Sequence, residues 1–142
     1  QDTVGINLGG GVDLPFGRVS LHPAWHSNSL PDGGYGGMPA GVLIEADGVR
    51  IYHAGDTALF SDLALVGRRG IDLALVPIGD HFTMGPDDAV EAVRLLAPRE
   101  VVPIHYDTFP PIRQDAQAFR ARVEAETDAR CRVLAPGDGL DL

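Results

Sequence analysis

The dipeptide Asp47-Gly48 constrains this chain more than any other feature. It separates two apolar-rich segments, residues 41–46 and 50–53, and Asp-Gly in that setting is the strongest short signal for a two-residue hairpin turn. An antiparallel strand pair is expected there. Residues 71–78 form a nearly continuous apolar run, as in strands covered on both faces. Hairpin pairing next to strand–helix alternation points to a layered α/β (α+β) fold rather than an all-parallel sheet.

The remaining segments fit that pattern. Residues 18–25 alternate as a strand ending near Pro23, and the glycine-dense stretch 32–39 supports neither helix nor ladder, so it is a loop. Leu59, Phe60, Leu63 and Val66 have helical spacing, with Gly67 and Gly70 ending the helix. Pro86 suits a first helical position, Asp87 and Asp88 suit the positive end, and Ala89, Val93, Leu96 and Ala97 give the buried stripe before Pro98. A strand is expected at 101–104, a helix from about Asp115 burying Ala116, Phe119 and Val123, and a last strand at 131–134. No internal repeat or low-complexity tract divides the chain.

Composition narrows the functional classes. With 44% hydrophobic and 22% charged residues among 142, the chain is not a disordered tail. No apolar run is long enough to span a bilayer and no signal peptide is recognisable, so no membrane partner and a cytoplasmic location are expected. The net charge of −9 repels phosphate backbones, which argues against nucleic acid as a partner. The single cysteine, Cys131, excludes an internal disulfide and a thiolate zinc site, so any metal must use His and carboxylates. The chain opens at Gln1 rather than Met, which leads us to expect that it was cut from something longer.

Four residues share a position in this pattern. His26, His53, Asp56 and His105 each fall within a few residues of the C-terminal end of an expected strand, where α/β sheets place ligand-binding groups. Neutral imidazole and carboxylate together suit zinc, manganese or iron. Taken singly, a histidine is more often a surface or core residue than a ligand. His22, beside a proline in a strand, reads as structural; His81 lies in a loop where a supporting role fits better than ligation; Asp32 and Asp47 are turn residues. The glycine-rich loops lack the Lys and Ser/Thr of a nucleotide-binding loop, Ser27 and Ser29 lack a nucleophile elbow, and Cys131 reads as buried-strand material.

The blocks Ala24-Trp25-His26-Ser27-Asn28-Ser29, Tyr35-Gly36-Gly37-Met38-Pro39-Ala40-Gly41, Tyr52-His53-Ala54-Gly55-Asp56-Thr57, Pro77-Ile78-Gly79-Asp80, Thr83-Met84-Gly85-Pro86 and Pro103-Ile104-His105-Tyr106, in this order, resemble one family. It is the metal-dependent hydrolase branch of the metallo-β-lactamase superfamily, the branch similar to L-ascorbate 6-phosphate lactonases. The resemblance implies an αββα sandwich, incomplete here at its N-terminus, with residues 1–142 as the C-terminal portion of a single domain. The family's H-x-H-x-D-H motif lies upstream of the matched blocks and is absent from this sequence.

The resemblance also implies roles. His26 corresponds to the third His of a first metal site, Asp56 to the carboxylate bridging two ions, and His105 to the last His of a second site. His53 joins Asp56 as a candidate catalytic residue, and Thr57, Asp80, His81 and Tyr106 as supporting or substrate-facing ones, His81 standing where the family loop often has Asn. The implied function is hydrolysis of an ester, lactone or phosphoester bond in a small-molecule substrate. Two divalent cations, zinc or manganese first and iron admitted, would activate a water and polarise the substrate. The chain alone should bind metal weakly, be inactive, be marginally stable, and expose apolar surface along residues 71–78 or their neighbours, leaving room for a homo-oligomer. A metal-free binding module is the alternative, against which stands the presence of two His and an Asp at three strand ends; a nuclease is opposed by the charge.

Overall fold

The computed structural model describes residues 3–142; Gln1 lies outside them. Asp47 (φ 51°) and Gly48 (φ 81°) both adopt positive φ, as the expected hairpin turn requires, and join β3 (Ala40–Ala46) to β4 (Val49–His53) with Ala46 paired to Val49. Upstream, β1 (Gly11–Leu14) and β2 (Gly17–Pro23) extend the antiparallel part. Downstream, β5 (Leu73–Pro77), β6 (Glu100–Ile104) and β7 (Arg130–Cys131) add in parallel, giving seven strands in sequence order.

Each parallel crossover carries a helix: α1 (Leu63–Gly67), α2 (Pro86–Leu96) and α3 (Ala116–Glu126). Pro86 begins α2 where a missing N–H costs nothing, with Asp87 and Asp88 in the first turn. Asp115 caps α3, its carboxylate accepting the N–H groups of Gln117 and Ala118 at 3.0 and 2.9 Å, an interaction of about 1 kcal/mol.

Alternation along the strands sorts their side chains. Leu43, Tyr52, Ala74, Val76, Val101 and Cys131 pack with Leu63, Val66, Val93, Leu96, Phe119 and Val123 of the helices in one buried core. The fully buried Tyr52 phenol is pushed up to about 12 by burial and stays neutral. The intervening residues Val19, Val42, Ile44, Ile51 and Leu75 are half-buried and face away from that core. Among the described residues there is one sheet and one helical layer packed on it.

Several local expectations need correction. Of the 71–78 run, Ile71, Ala74, Val76 and Ile78 are buried in the helix-covered core, so the open apolar face is made by Leu75 together with the neighbouring strands β2–β4. Helix α1 begins at Leu63, with Leu59 and Phe60 in the preceding loop, held where the Ala58 N–H meets the Trp25 carbonyl at 3.0 Å. Ala97 is exposed in the left-handed cap of α2 (φ 44°) rather than in its buried stripe. The last strand is two residues long, since the ladder stops after the Arg132 N–H reaches the Val101 carbonyl.

Candidate metal centre

Topology brings the four candidates to one edge of the sheet. Strands β2 and β4 are each antiparallel to β3, so both run in the direction of β5 and β6. His53 ends β4, Asp56 follows it, His26 follows β2, and His105 follows β6. The backbone is strained at this edge: Asp80 (φ 62°), His81 (φ 27°), His105 (φ 54°) and Asp107 (φ 61°) all hold positive φ, a costly conformation that clusters at functional sites.

Asp56 and His105 meet. His105 Nε2 stands 3.4 Å from Asp56 Oδ2, outside the range of a good hydrogen bond. The other ring nitrogen, Nδ1, is buried with no hydrogen-bond partner. A close approach of the loop after β5 seats this residue: a Cβ on Gly79 would come 2.3 Å from the His105 carbonyl oxygen, so only glycine fits.

Hydrogen bonds assign the other two rings. The Ser27 carbonyl lies 2.6 Å from His26 Nδ1; a carbonyl can only accept, so Nδ1 carries the proton and Nε2 keeps its lone pair. That is the tautomer a metal-ligating histidine adopts. His53 is set the other way. Its Nδ1 accepts the Gly55 N–H at 3.0 Å, which leaves Nε2–H of the neutral ring as an outward donor.

Thr57 joins the loops. Fully buried, it accepts the Trp25 N–H on Oγ1 at 2.9 Å and donates to the Ala58 carbonyl, while its own carbonyl accepts the Met84 N–H at 3.0 Å. Asp80 opens a tight turn closed by the Thr83 N–H on its carbonyl at 2.7 Å. His81 is exposed, its ring edge-on to Phe82. Tyr106 packs against the core, and burial, followed by Asp107 and Cys131, pushes its phenol up.

The donor set, imidazole nitrogen and carboxylate oxygen without sulfur, fits a divalent cation, and the ligand-ready tautomer of His26 and the Asp56–His105 pair fit it further. Among the described residues, however, no three His, Cys, Asp or Glu side chains are arranged to hold an ion. The structure thus offers parts of a centre. Cys131 is no substitute: fully buried, its thiol is pushed up to about 12 by burial and by Glu124, hence protonated and inert.

Sequence reasoning missed two groups at this edge. Asp107 accepts the Gln114 N–H at 2.9 Å and anchors the turn after His105; a non-glycine left-handed residue leaves no mark in a single sequence. Trp25, Tyr35, Met38 and Phe60 line a cavity of about 660 Å³ that includes His26. Their signal was present, as large apolar residues in and beside a glycine-rich loop.

Comparison with known proteins bears on the fold and the family. A UPF0173 metal-dependent hydrolase of Thermus thermophilus is 59% identical over 99% of the chain, and one of Deinococcus radiodurans is 52% identical over all of it. The chain spans 62% of the length of each. The solved structure of Igni18, a metallo hydrolase from the archaeon Ignicoccus hospitalis, superposes with a TM-score of 0.86 at 42% identity, over 95% of this chain and 58% of that one. No described helix is long and apolar enough to cross a membrane. Residues 1–106 match the beta-lactamase superfamily domain, and the chain belongs to that superfamily.

Proposed function

We propose that the protein carrying this chain is a metal-dependent hydrolase of ester, lactone or phosphoester bonds with a dinuclear centre. The observation that carries the reading is the meeting of Asp56 with His105 on the edge where His26 keeps a free Nε2 lone pair. Asp56 would bridge two divalent ions, zinc or manganese, with His26 and His105 each holding one. When bound, such ions supply Lewis acidity that activates water and polarises the scissile bond.

The chain's own side chains complete the arrangement. His53, with Nε2–H turned outward, donates a hydrogen bond to the substrate oxygen that gains charge. Thr57 keeps the His26 and Asp56 loops in register, and Asp80, His81 and Tyr106 shape the loops beside them. Further ligands come from the remainder of a single domain of which residues 1–142 are the C-terminal portion. The open apolar face of β2–β5 supports this, as a surface suited to a second sheet.

Hydrolysis of an aryl ester by the whole protein, supplied with zinc or manganese, tests the reading. Asp56→Asn should lower kcat by more than about 100-fold, beyond the loss of a supporting hydrogen bond, with an unchanged circular dichroism spectrum. Full activity in that variant would refute it, and metal-independent binding without turnover would favour a binding module.

A further inference from the structure

The cavity beside His26 differs from its surroundings. Its volume of about 660 Å³ is in the range of small-molecule sites. Trp25, Tyr35 and Met38 line it yet are 67%, 71% and 63% exposed, a concentration of apolar surface that needs an explanation. These side chains stand on a fixed frame. Trp25 is held from both backbone atoms by the Thr57–Ala58 loop. The 28–36 loop is closed by the Asn28 side chain on the Gly36 carbonyl at 2.8 Å, by the Gly36 N–H on the Asn28 carbonyl, and by the Ser29–Tyr35 bridge.

Charge limits what the cavity can take. The chain contains no lysine, and among the described residues no arginine lines this cavity, whereas the carboxylate of Asp62 does. Cations gather at the opposite end of the sheet. There Arg50, Arg99 and Arg132 pair with Glu45, Asp72 and Glu100 around the amino ends of the parallel strands. In the metal-free cavity a phosphate or carboxylate group would meet no arginine or lysine among the described lining residues and would face Asp62.

We infer that this cavity binds the apolar, uncharged aryl or alkyl portion of a carbon ester or lactone. The inference rests on the hydrolase reading for its catalytic half and narrows that reading. Hydrolysis of such an ester forms one C–O bond from water to the acyl carbon and breaks the C–O bond to the leaving alcohol. One proton of water goes to the alcohol and the other stays with the acid, so no co-reactant is needed.

Trp25 is the single tryptophan of these 142 residues, so the part of the emission change that is lost in Trp25→Phe reports the cavity directly, without metal or turnover. Metal-free whole protein is titrated with acetophenone, an uncharged mimic of an aryl ester, and with phenyl phosphate. Saturable change in Trp25 emission with acetophenone, at least about fivefold weaker in Tyr35→Ala and retained in Tyr35→Phe, is expected from loss of one aromatic contact. Phenyl phosphate should bind at least about tenfold more weakly than acetophenone. Equal or tighter binding of phenyl phosphate, no saturable response to acetophenone, or an unaltered Tyr35→Ala would overturn the inference. Acetophenone binding without phenyl acetate hydrolysis on adding zinc or manganese upholds the cavity and counts against the hydrolase reading alone.

Discussion

His105 Nε2 stands 3.4 Å from Asp56 Oδ2 although one residue follows β6 and the other β4. The strand between them, β5, ends at Pro77 and is followed by Gly79, whose missing side chain lets the His105 backbone approach. The pair is therefore a product of sheet register and one close packing contact, not of local sequence.

Gly79→Ala tests that contact. A methyl group 2.3 Å from the His105 carbonyl oxygen forces β5 and β6 apart, and overpacking of this kind costs about 1–3 kcal/mol. Urea denaturation should show the loss, and metal affinity should fall with it. A variant as stable as the parent would mean that the two strand ends move freely.

Thr57→Val should destabilise by about 1–3 kcal/mol, because the Trp25 N–H loses its partner while the site stays buried. Thr57→Ser keeps the oxygen and should restore most of the stability. Trp25 emission read through the same melt should shift in the valine variant and not in the serine one; identical spectra in both would remove Thr57 from the frame of the cavity.

The His22 imidazole is held below its ordinary value of 6.5, first by burial and then by Arg69, with Glu45 opposing. Its other neighbours, Ser20 Oγ at 3.3 Å and the Tyr52 ring at 6.1 Å, are neutral. The unfolded chain takes up a proton near pH 6.5 that the folded chain refuses, so this contribution is present above 6.5 and is lost as pH falls below it. His22→Gln should flatten the stability–pH curve between about pH 7 and about pH 5. Parallel curves for parent and variant would contradict the burial of a neutral ring.

The open face carrying Val42, Ile44, Ile51 and Leu75 should make the 142-residue chain self-associate. Sedimentation should show species larger than a monomer, moved toward monomer by Ile44→Glu. A cooperative, monomeric melt of the unaltered chain would oppose the proposal that this face receives a second sheet.

Much of this architecture can be read locally. Asp47-Gly48, the 71–78 run, Pro86 and Asp115 each act through their own backbone neighbourhood, and β3–β4, β5, α2 and α3 start where those residues direct. What depends on distant partners is not legible. Leu59 and Phe60 have helical spacing, yet the loop that holds them is tied to Trp25. The ring states of His26 and His53 follow from a carbonyl and an N–H that no residue pattern announces. Strand ends suggested His26, Asp56 and His105 together, but the described fold brings only Asp56 and His105 into contact, since convergence of ligands is set by the register of distant strands.

Metal stoichiometry tests the central claim most directly. The whole protein containing this chain, loaded with zinc or manganese, dialysed and measured by plasma mass spectrometry, should hold two ions per chain. The content should fall in Asp56→Asn, His26→Gln and His105→Gln. A content near zero after loading, or full occupancy in all three variants, would contradict the account.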